Sequence, residues 1–222
     1  QEGVSYVQRT THAGRRVSTA GAYLRPAMKR KNLKVITKAH ATNIMFDGKR
    51  AVGIAYRHGG RNGTDKQVRA AREVILSGGA YNSPQLLQLS GVGPADVLNQ
   101  HGIEVRHGLA GVGENLRDHY APRLVARVKN ISTINEKTRG LNLAWEVAKW
   151  ATTRKGILSL NPTLVYCFWH SGEAAESSDI QMTFTPASYN DGVQGELERE
   201  PGMTVAAWQQ RPESKGYVRI KS

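Results

Sequence analysis

The sequence is poor in several residue types, and each shortage excludes some classes of protein. Cysteine occurs once, at Cys167, so an internal disulfide framework is excluded and a reducing compartment is expected. No apolar run approaches the roughly 20 residues of a membrane span, and the first residues form no charged-then-apolar leader. We expect a cytoplasmic protein without an integral membrane segment, and peripheral membrane association stays an alternative.

Acidic residues are scarce in the first part of the chain. Residues 1–130 carry 21 Lys and Arg against 8 Asp and Glu, whereas residues 131–222 carry 10 of each. A basic surface of this kind can bind nucleic acid. The cations are spread over short strands and turns, so a solvated face without nucleic acid is the expectation. A nucleic-acid-binding module, centred on Lys29, Arg30 and Lys31, and a noncatalytic scaffold stay alternative functions.

A strand, a glycine turn and a helix follow one another in residues 74–93, VILSGGAYNSPQLLQLSGVG. Gly78 and Gly79 allow positive φ and close approach of another group to the backbone. Ser83 is a good N-cap and Pro84 a good first helical residue, so unpaired amides are expected to face the turn and attract anions or polar cofactor edges. The alternative is an ordinary strand-to-helix connection.

Other segments show the periodicities of short strands and helices. Asp47-Gly48 predicts a hairpin between residues 40–45 and 50–56. Residues 33–37 are predicted as a buried strand, and residues 67–77 as a strand whose apolar run 74–76 is buried on both faces. Beyond residue 93 the pattern predicts helices over 94–100 and 141–151, strands over 122–128, 164–169, 180–185 and 205–210, and a mobile loop over 189–202.

Four blocks of the sequence resemble one enzyme family. Gly79-Ala80, Ser83-Pro84, Leu86-Leu87 and Ser90-Gly91-Val92-Gly93 together resemble a signature of the glucose-methanol-choline (GMC) oxidoreductases. GVGENLRDH at residues 111–119 resembles the family's GVGENLQDH segment, with Arg117 in place of Gln. Residues 14–24 and 46–53 are similar to choline-dehydrogenase-like members. The four blocks occur in family order.

The resemblance implies an α/β fold, α+β overall, in two parts. Residues 1–119 would contribute to a Rossmann-type FAD-binding domain, and residues 120–222 to a substrate domain built on an antiparallel sheet. The implied cofactor is FAD, and the implied reaction is oxidation of an alcohol by hydride transfer to the flavin. We expect the chain to be the central fragment of such an enzyme.

The resemblance also assigns positions to the cofactor site. Ala41 matches the strand position whose backbone meets the adenine, and Ser77, Gly78 and Gly79 match the turn beside the ADP moiety of the flavin. No metal site is expected. The family's G-x-G-x-x-G turn is absent here, and its proton-abstracting histidine lies in an H-x-x-G-T context that this chain also lacks. The catalytic histidine is therefore expected C-terminal to this chain, which alone would be inactive.

The substrate is expected to be choline or a related primary alcohol. A quaternary ammonium needs a carboxylate or aromatic faces beside it. Residues 163–169 contain no acid, and Tyr166, Phe168 and Trp169 could supply aromatic faces or could belong to the core. The sequence leaves the electron acceptor and the oligomeric state open.

Overall fold

The computed structural model describes residues 2–172, 177–190 and 195–221. The strands in chain order are β1 Gly3–Tyr6, β2 Thr11–His12, β3 Arg15–Arg16, β4 Ala39–Asp47, β5 Arg50–His58, β6 Thr64–Arg69, β7 Val92–Gly93, β8 His107–Gly108, β9 Glu114–Leu116, β10 Arg123–Arg127, β11 Val165–Trp169, β12 Ile180–Thr185, β13 Gly202–Gln209 and β14 Gly216–Tyr217. The α-helices are α1 Arg25–Ala27, α2 Gly79–Leu89, α3 Ala95–Gln100, α4 Ile134–Lys137 and α5 Gly140–Thr153. Shorter turns of π and 3₁₀ helix occupy Ala20–Leu24 and Ile157–Ser159.

The chain forms two compact units whose limits interleave along the sequence. One unit contains Gln1–Leu33 and His119–Pro212, and the other contains Lys34–Asp118 and Glu213–Ser222. The sequence prediction divides the chain once, after residue 119. In the structure, the first 33 residues group with the second half of the chain, and the last ten group with the first half.

A five-stranded antiparallel sheet in the order β1-β11-β12-β13-β10 forms the centre of the first unit. The predicted strands in residues 122–128, 164–169, 180–185 and 205–210 are confirmed as β10, β11, β12 and β13. β1 was not predicted, because its four residues show no alternation that distinguishes them from a loop. It joins the sheet as an edge strand along β11.

The helices of the first unit are fixed by local hydrogen bonds. Thr133 and Glu136 form a capping box that starts α4. The predicted helix at residues 141–151 is confirmed as α5, which ends at Arg154 in the left-handed conformation, φ 58°. The Trp150 indole donates to the Gly14 carbonyl at 2.8 Å and lies beneath the guanidinium groups of Arg15 and Arg154. These contacts join α5 to the β2–β3 hairpin.

The second unit begins with the predicted hairpin, which is confirmed as β4 and β5, with β6 along the other edge of β5. Helix α2 packs on β4 through Ser90, whose hydroxyl accepts from the Ile44 amide at 2.8 Å. Asn43 adds a second bond, from its side-chain amide to the Leu89 carbonyl. Ile44 is buried beneath this junction.

The rest of the second unit surrounds a small core of Val92, Val97, Leu98, Val112 and Ile220. The predicted helix at residues 94–100 is confirmed as α3, which connects the short parallel strands β7 and β8. Gln88, fully buried, donates from Nε2 to the carbonyls of Val112 and Val218 and accepts from the Ile220 amide. One side chain thus ties α2 to the segment before β9 and to the C-terminal tail.

One strand prediction was wrong, and another was correct only in its first residues. Residues 33–37 and 74–76 belong to no strand, and of the segment 67–77 only residues 67–69 lie in β6, which ends at Arg69. Ile75 is 75% exposed, although its apolar neighbours suggested burial on both faces. A buried strand needs a hydrogen-bonded neighbour on each side, and within the described residues no strand pairs with either segment. Apolar composition suggested strands but could not supply a partner.

The predicted start of α2 was also wrong. Gly78, rather than Ser83, is the N-cap, so Pro84 lies inside the helix. Asn82 donates to the Gly78 carbonyl at 3.2 Å, which supports the earlier start.

The loop predicted at residues 189–202 lies partly outside the described residues, since 191–194 fall there. Tyr189, before these residues, forms an antiparallel bridge with Leu197, after them.

Candidate functional site

An open cleft of about 690 Å³ lies where the start of β4 meets the glycine turn before α2. Three of the four predicted cofactor positions line it: Ala41 from β4, and Ser77 and Gly78 from the turn. Gly79 follows as the first residue of α2 and is not part of the lining. Residues 36 positions apart in the sequence therefore share one concave surface.

The glycine turn is held by side chains of the following helix. The Gly78 amide donates to the Ser83 hydroxyl at 3.0 Å, and the Asn82 side chain donates back to the Gly78 carbonyl. A Cβ on Gly78 would stand 3.1 Å from the Asn82 Cβ and 3.3 Å from the Ser83 nitrogen and Oγ, which leaves little room for a side chain. Gly79 has φ +83°, which an L residue adopts only with strain.

Strand β4 carries an irregularity at the cleft. Ala41 pairs with Tyr56 and Asn43 with Ala55, so Thr42 has no opposite residue on β5. Such a bulge bends the strand and redirects its side chains. His40, Thr42, Asn82 and Ser83 add polar groups to the lining that the sequence did not single out. The Asn82 contact could have been suspected from its four-residue distance to Gly78.

A second cleft, of about 490 Å³, lies between α2 and the segment around β9. Its lining includes Ala80, Pro84 and Leu87 from α2, Val218 from the tail, and residues 112–117 of the GVGENLRDH block. Ser83 lines both clefts. Asn115, in β9, takes a left-handed conformation, φ 60°, which Asn tolerates better than most residues. Both clefts belong to the second compact unit.

The aromatic residues considered for substrate binding lie on the sheet of the first unit. Tyr166 and Phe168 share one face, with ring centroids 5.0 Å apart in an edge-to-face arrangement. Because side chains alternate along a strand, Cys167 and Trp169 lie on the other face. Cys167 is half-buried. His119 bonds the Gln210 carbonyl through Nε2 and lies 5.9 Å from the Trp208 ring, which agrees with local packing.

Two carboxylates have a lowered pKa, and neither lines a cleft. Hydrogen bonds from the hydroxyl and then the amide of Ser171 lower the pKa of Asp179. The bidentate hydrogen bonds of Arg57, at 2.7 and 3.0 Å, lower the pKa of Asp65. Both shifts therefore have a structural cause on the surface. They do not identify a general acid or base.

The part of the chain that is described offers no group of three or more His, Cys, Asp or Glu side chains able to hold a metal ion. It also has no helix with both the length and the apolar character needed to cross a bilayer.

Comparison with known proteins identifies the family. Residues 1–121 match the GMC oxidoreductase family. The chain belongs to the GMC oxidoreductase family. This match covers more than half of the chain and includes all four sequence blocks that resemble the family.

Curated relatives match from one end of the chain to the other. An oxygen-dependent choline dehydrogenase of Pseudomonas savastanoi is 42% identical over 224 residues, and one of Staphylococcus haemolyticus is 39% identical over 223 residues. Each alignment covers 100% of this chain but 39% and 38% of the relative. The chain therefore spans about two fifths of the length of these GMC proteins.

Solved structures agree with the fold. A formate oxidase from Aspergillus oryzae matches with a TM-score of 0.83 and 21% identity, over 100% of this chain and 42% of the enzyme. A pyridoxine 4-oxidase from Mesorbium loti matches with a TM-score of 0.76 and 22% identity, over 99% of this chain and 38% of the enzyme. The predicted α/β fold class is confirmed.

Proposed function

We propose that this chain is the cofactor-lining middle of an FAD-dependent enzyme that oxidises an alcohol. The observation that carries the proposal is the cleft of about 690 Å³ that brings Ala41 together with Ser77 and Gly78. The names of the relatives support it, since choline dehydrogenases match along the whole chain. The domain roles stay part of the proposal, with residues 1–119 contributing to the FAD domain and residues 120–222 to the substrate domain.

The residues at the turn fit the edge of a nucleotide cofactor. Ser77, Gly78 and Gly79 would present backbone to the ADP portion of FAD, and Ala41 would contact the adenine through its main chain. The tight space at Gly78 supports this, because a side chain there would crowd Asn82 and Ser83 at the cleft wall. Among the described residues, the lining contains no Lys, Arg, Asp or Glu, which supports recognition by backbone and shape. FAD, when bound, supplies the hydride acceptor.

Choline or a related primary alcohol is the proposed substrate. The Tyr166 and Phe168 rings, on one face of the five-stranded sheet, are suited to a quaternary ammonium, which aromatic faces attract. No histidine of this chain is proposed as the base. The isolated 222-residue chain would not turn over, because neither a G-x-G-x-x-G turn nor an H-x-x-G-T segment occurs in it. The single cysteine supports a reducing compartment, so the cytoplasm stays the proposed location.

The full-length protein provides the direct test. It should purify with stoichiometric flavin absorbance, and anaerobic addition of choline should bleach the flavin faster than a primary alcohol without a quaternary ammonium. The 222-residue chain expressed alone should do neither. A full-length protein that binds no flavin, or whose flavin no primary alcohol reduces, would contradict the proposal. Retained flavin or alcohol-dependent dye reduction by the isolated chain would contradict the assignment of inactivity.

A further inference from the structure

The side chain of Ser83, in the second turn of α2, bonds in an unusual direction. A Ser or Thr hydroxyl in a helix commonly donates to the carbonyl four residues earlier. Other hydroxyls in or at the end of a helix of this chain do so at 2.6 to 3.0 Å: Ser90 to Leu86, Thr138 to Ile134, Thr152 to Ala148 and Thr153 to Lys149. The Ser83 oxygen instead accepts from the amide of Gly78 at 3.0 Å.

This arrangement leaves the hydrogen of the Ser83 hydroxyl available. A serine hydroxyl can accept two hydrogen bonds and donate one. The Gly78 amide occupies one acceptor position, and within residues 2–172, 177–190 and 195–221 no acceptor group takes the hydroxyl hydrogen. A hydroxyl that accepts from an amide is polarised and becomes a better donor. The glycine turn therefore presents the Ser83 hydroxyl as a donor, while the Gly78 amide is already bonded.

The position of the Ser83 oxygen assigns this donor to the larger cleft. Ser83 lines both clefts, but Gly78, from which it accepts, lines only the cleft of about 690 Å³. A Cβ on Gly78 would stand 3.3 Å from the Ser83 Oγ, so the oxygen lies beside the turn. Among the described residues no Lys or Arg lines this cleft. The acceptor oxygens of a ligand there consequently depend more on uncharged donors.

We propose that the Ser83 hydroxyl donates a hydrogen bond to an oxygen of the ADP moiety of FAD, on the ribose or on a phosphate group. The inference rests on the proposed function, in which the ADP portion lies beside Ser77 and Gly78. The Gly78 amide then stabilises the cofactor indirectly, through the hydroxyl that it polarises. Asn82 is a positioning residue, because its side-chain amide donates to the Gly78 carbonyl at 3.2 Å and holds the turn.

Titration of the flavin-free full-length protein with FAD tests the inference. Expression in a host that cannot make riboflavin supplies the flavin-free protein. Ser83→Thr and Ser83→Val are the matched pair, since their side chains have the same shape and differ in the hydroxyl. Ser83→Val should raise the Kd for FAD by roughly five- to tenfold, whereas Ser83→Thr should stay within about twofold of the parent protein. Ser83→Ala removes the hydroxyl without added bulk and replaces Ser83→Val if that variant does not fold.

Competition with parts of the cofactor locates the contact. ADP should compete with FAD roughly five- to tenfold less well in Ser83→Val than in Ser83→Thr. Riboflavin, which lacks the ADP moiety, should compete equally in the two variants. Adenosine separates the two acceptors: it should lose affinity in Ser83→Val if the acceptor is on the ribose and keep it if the acceptor is a phosphate oxygen. An ADP affinity that is the same in both variants would overturn the proposal.

A purely structural role of Ser83 predicts a different result. Asn82→Ala removes the bond to the Gly78 carbonyl and keeps the Ser83 hydroxyl, so it should raise the Kd for FAD by less than about threefold. Equal increases in Asn82→Ala and Ser83→Val would show that rigidity of the turn determines affinity, which overturns the donor role. Equal FAD affinity of Ser83→Val and Ser83→Thr would overturn it as well, with the proposed function intact. A parent protein that takes up no flavin would contradict the proposed function itself and this inference with it.

Discussion

The side-chain amide of Gln88 donates to the carbonyl of Val218, 130 residues further along the chain, at 2.9 Å. The same side chain also serves the Val112 carbonyl and the Ile220 amide. Gln88 is completely buried, so water cannot replace these bonds when the side chain is changed. The Gln88 side chain thus satisfies backbone groups that would otherwise need another strand as their hydrogen-bond partner.

Replacing Gln88 should therefore destabilise the second unit. Gln88→Leu keeps the volume and removes the bonding, leaving two carbonyls and one amide unsatisfied, and we expect a loss of about 2–4 kcal/mol in the free energy of unfolding. Urea unfolding of the full-length protein measures it. Gln85→Leu, an exposed position three residues earlier on α2, is the matched control and should change stability by less than about 0.5 kcal/mol. Equal effects of the two variants would contradict the role of Gln88.

Substitution of the two glycines in the turn should have different effects. Gly78→Val should lower flavin occupancy of the full-length protein, because its side chain must displace Asn82 or Ser83 at the cleft. Gly79→Ala should cost about 1–2 kcal/mol of stability through its positive φ. Gly108→Ala is the control, since a Cβ there meets nothing within 4 Å. Full occupancy in Gly78→Val, read as the ratio of flavin to protein absorbance, would count against the cofactor assignment.

Trp150 should be more important for stability than Trp145, although both lie on α5. Trp150→Phe removes the indole bond to Gly14 and weakens the cation–π contacts with Arg15 and Arg154, whose guanidinium carbons lie 5.4 and 4.4 Å from the ring centroid. We expect a loss of about 1–2 kcal/mol. Trp145→Phe, at an exposed site, should leave the thermal midpoint nearly unchanged. A larger shift in Trp145→Phe than in Trp150→Phe would refute this ranking.

The pKa of Asp179 should depend on Ser171. The two hydrogen bonds from Ser171 stabilise the carboxylate and lower its pKa in the folded state, so its contribution to stability exists above the unfolded pKa and is lost as pH falls through the folded pKa. Ser171→Ala removes the stronger bond and should raise the pKa of Asp179 toward the ordinary range. Carboxyl NMR titration of both proteins measures the change. An unaltered pKa in the variant would contradict the stated cause.

The sequence predicted the elements whose cause is local. Asp47-Gly48 determines the β4–β5 hairpin through its turn, and alternation identified β10 to β13. The prediction failed where strand pairing depends on residues distant in sequence. Residues 33–37 and 74–76 have the composition of buried strands, but among the described residues no strand pairs with them. The start of α2 was misplaced because Ser83 and Pro84 resemble a helix start, and the local contact of Asn82 with Gly78, four residues earlier, was not considered. Ala41, Ser77 and Gly78 came from the family resemblance, since no local pattern relates residues so far apart.

The interleaved limits of the two units have a practical consequence for dissection of the protein. The chain passes from one unit to the other near residues 33, 118 and 212. A single protease cut, or a single truncation point, therefore cannot liberate either unit with all of its segments. To obtain the 34–118 unit with its own C-terminal strand β14, a protein engineer would have to excise residues 119–212 and join the ends with a new linker.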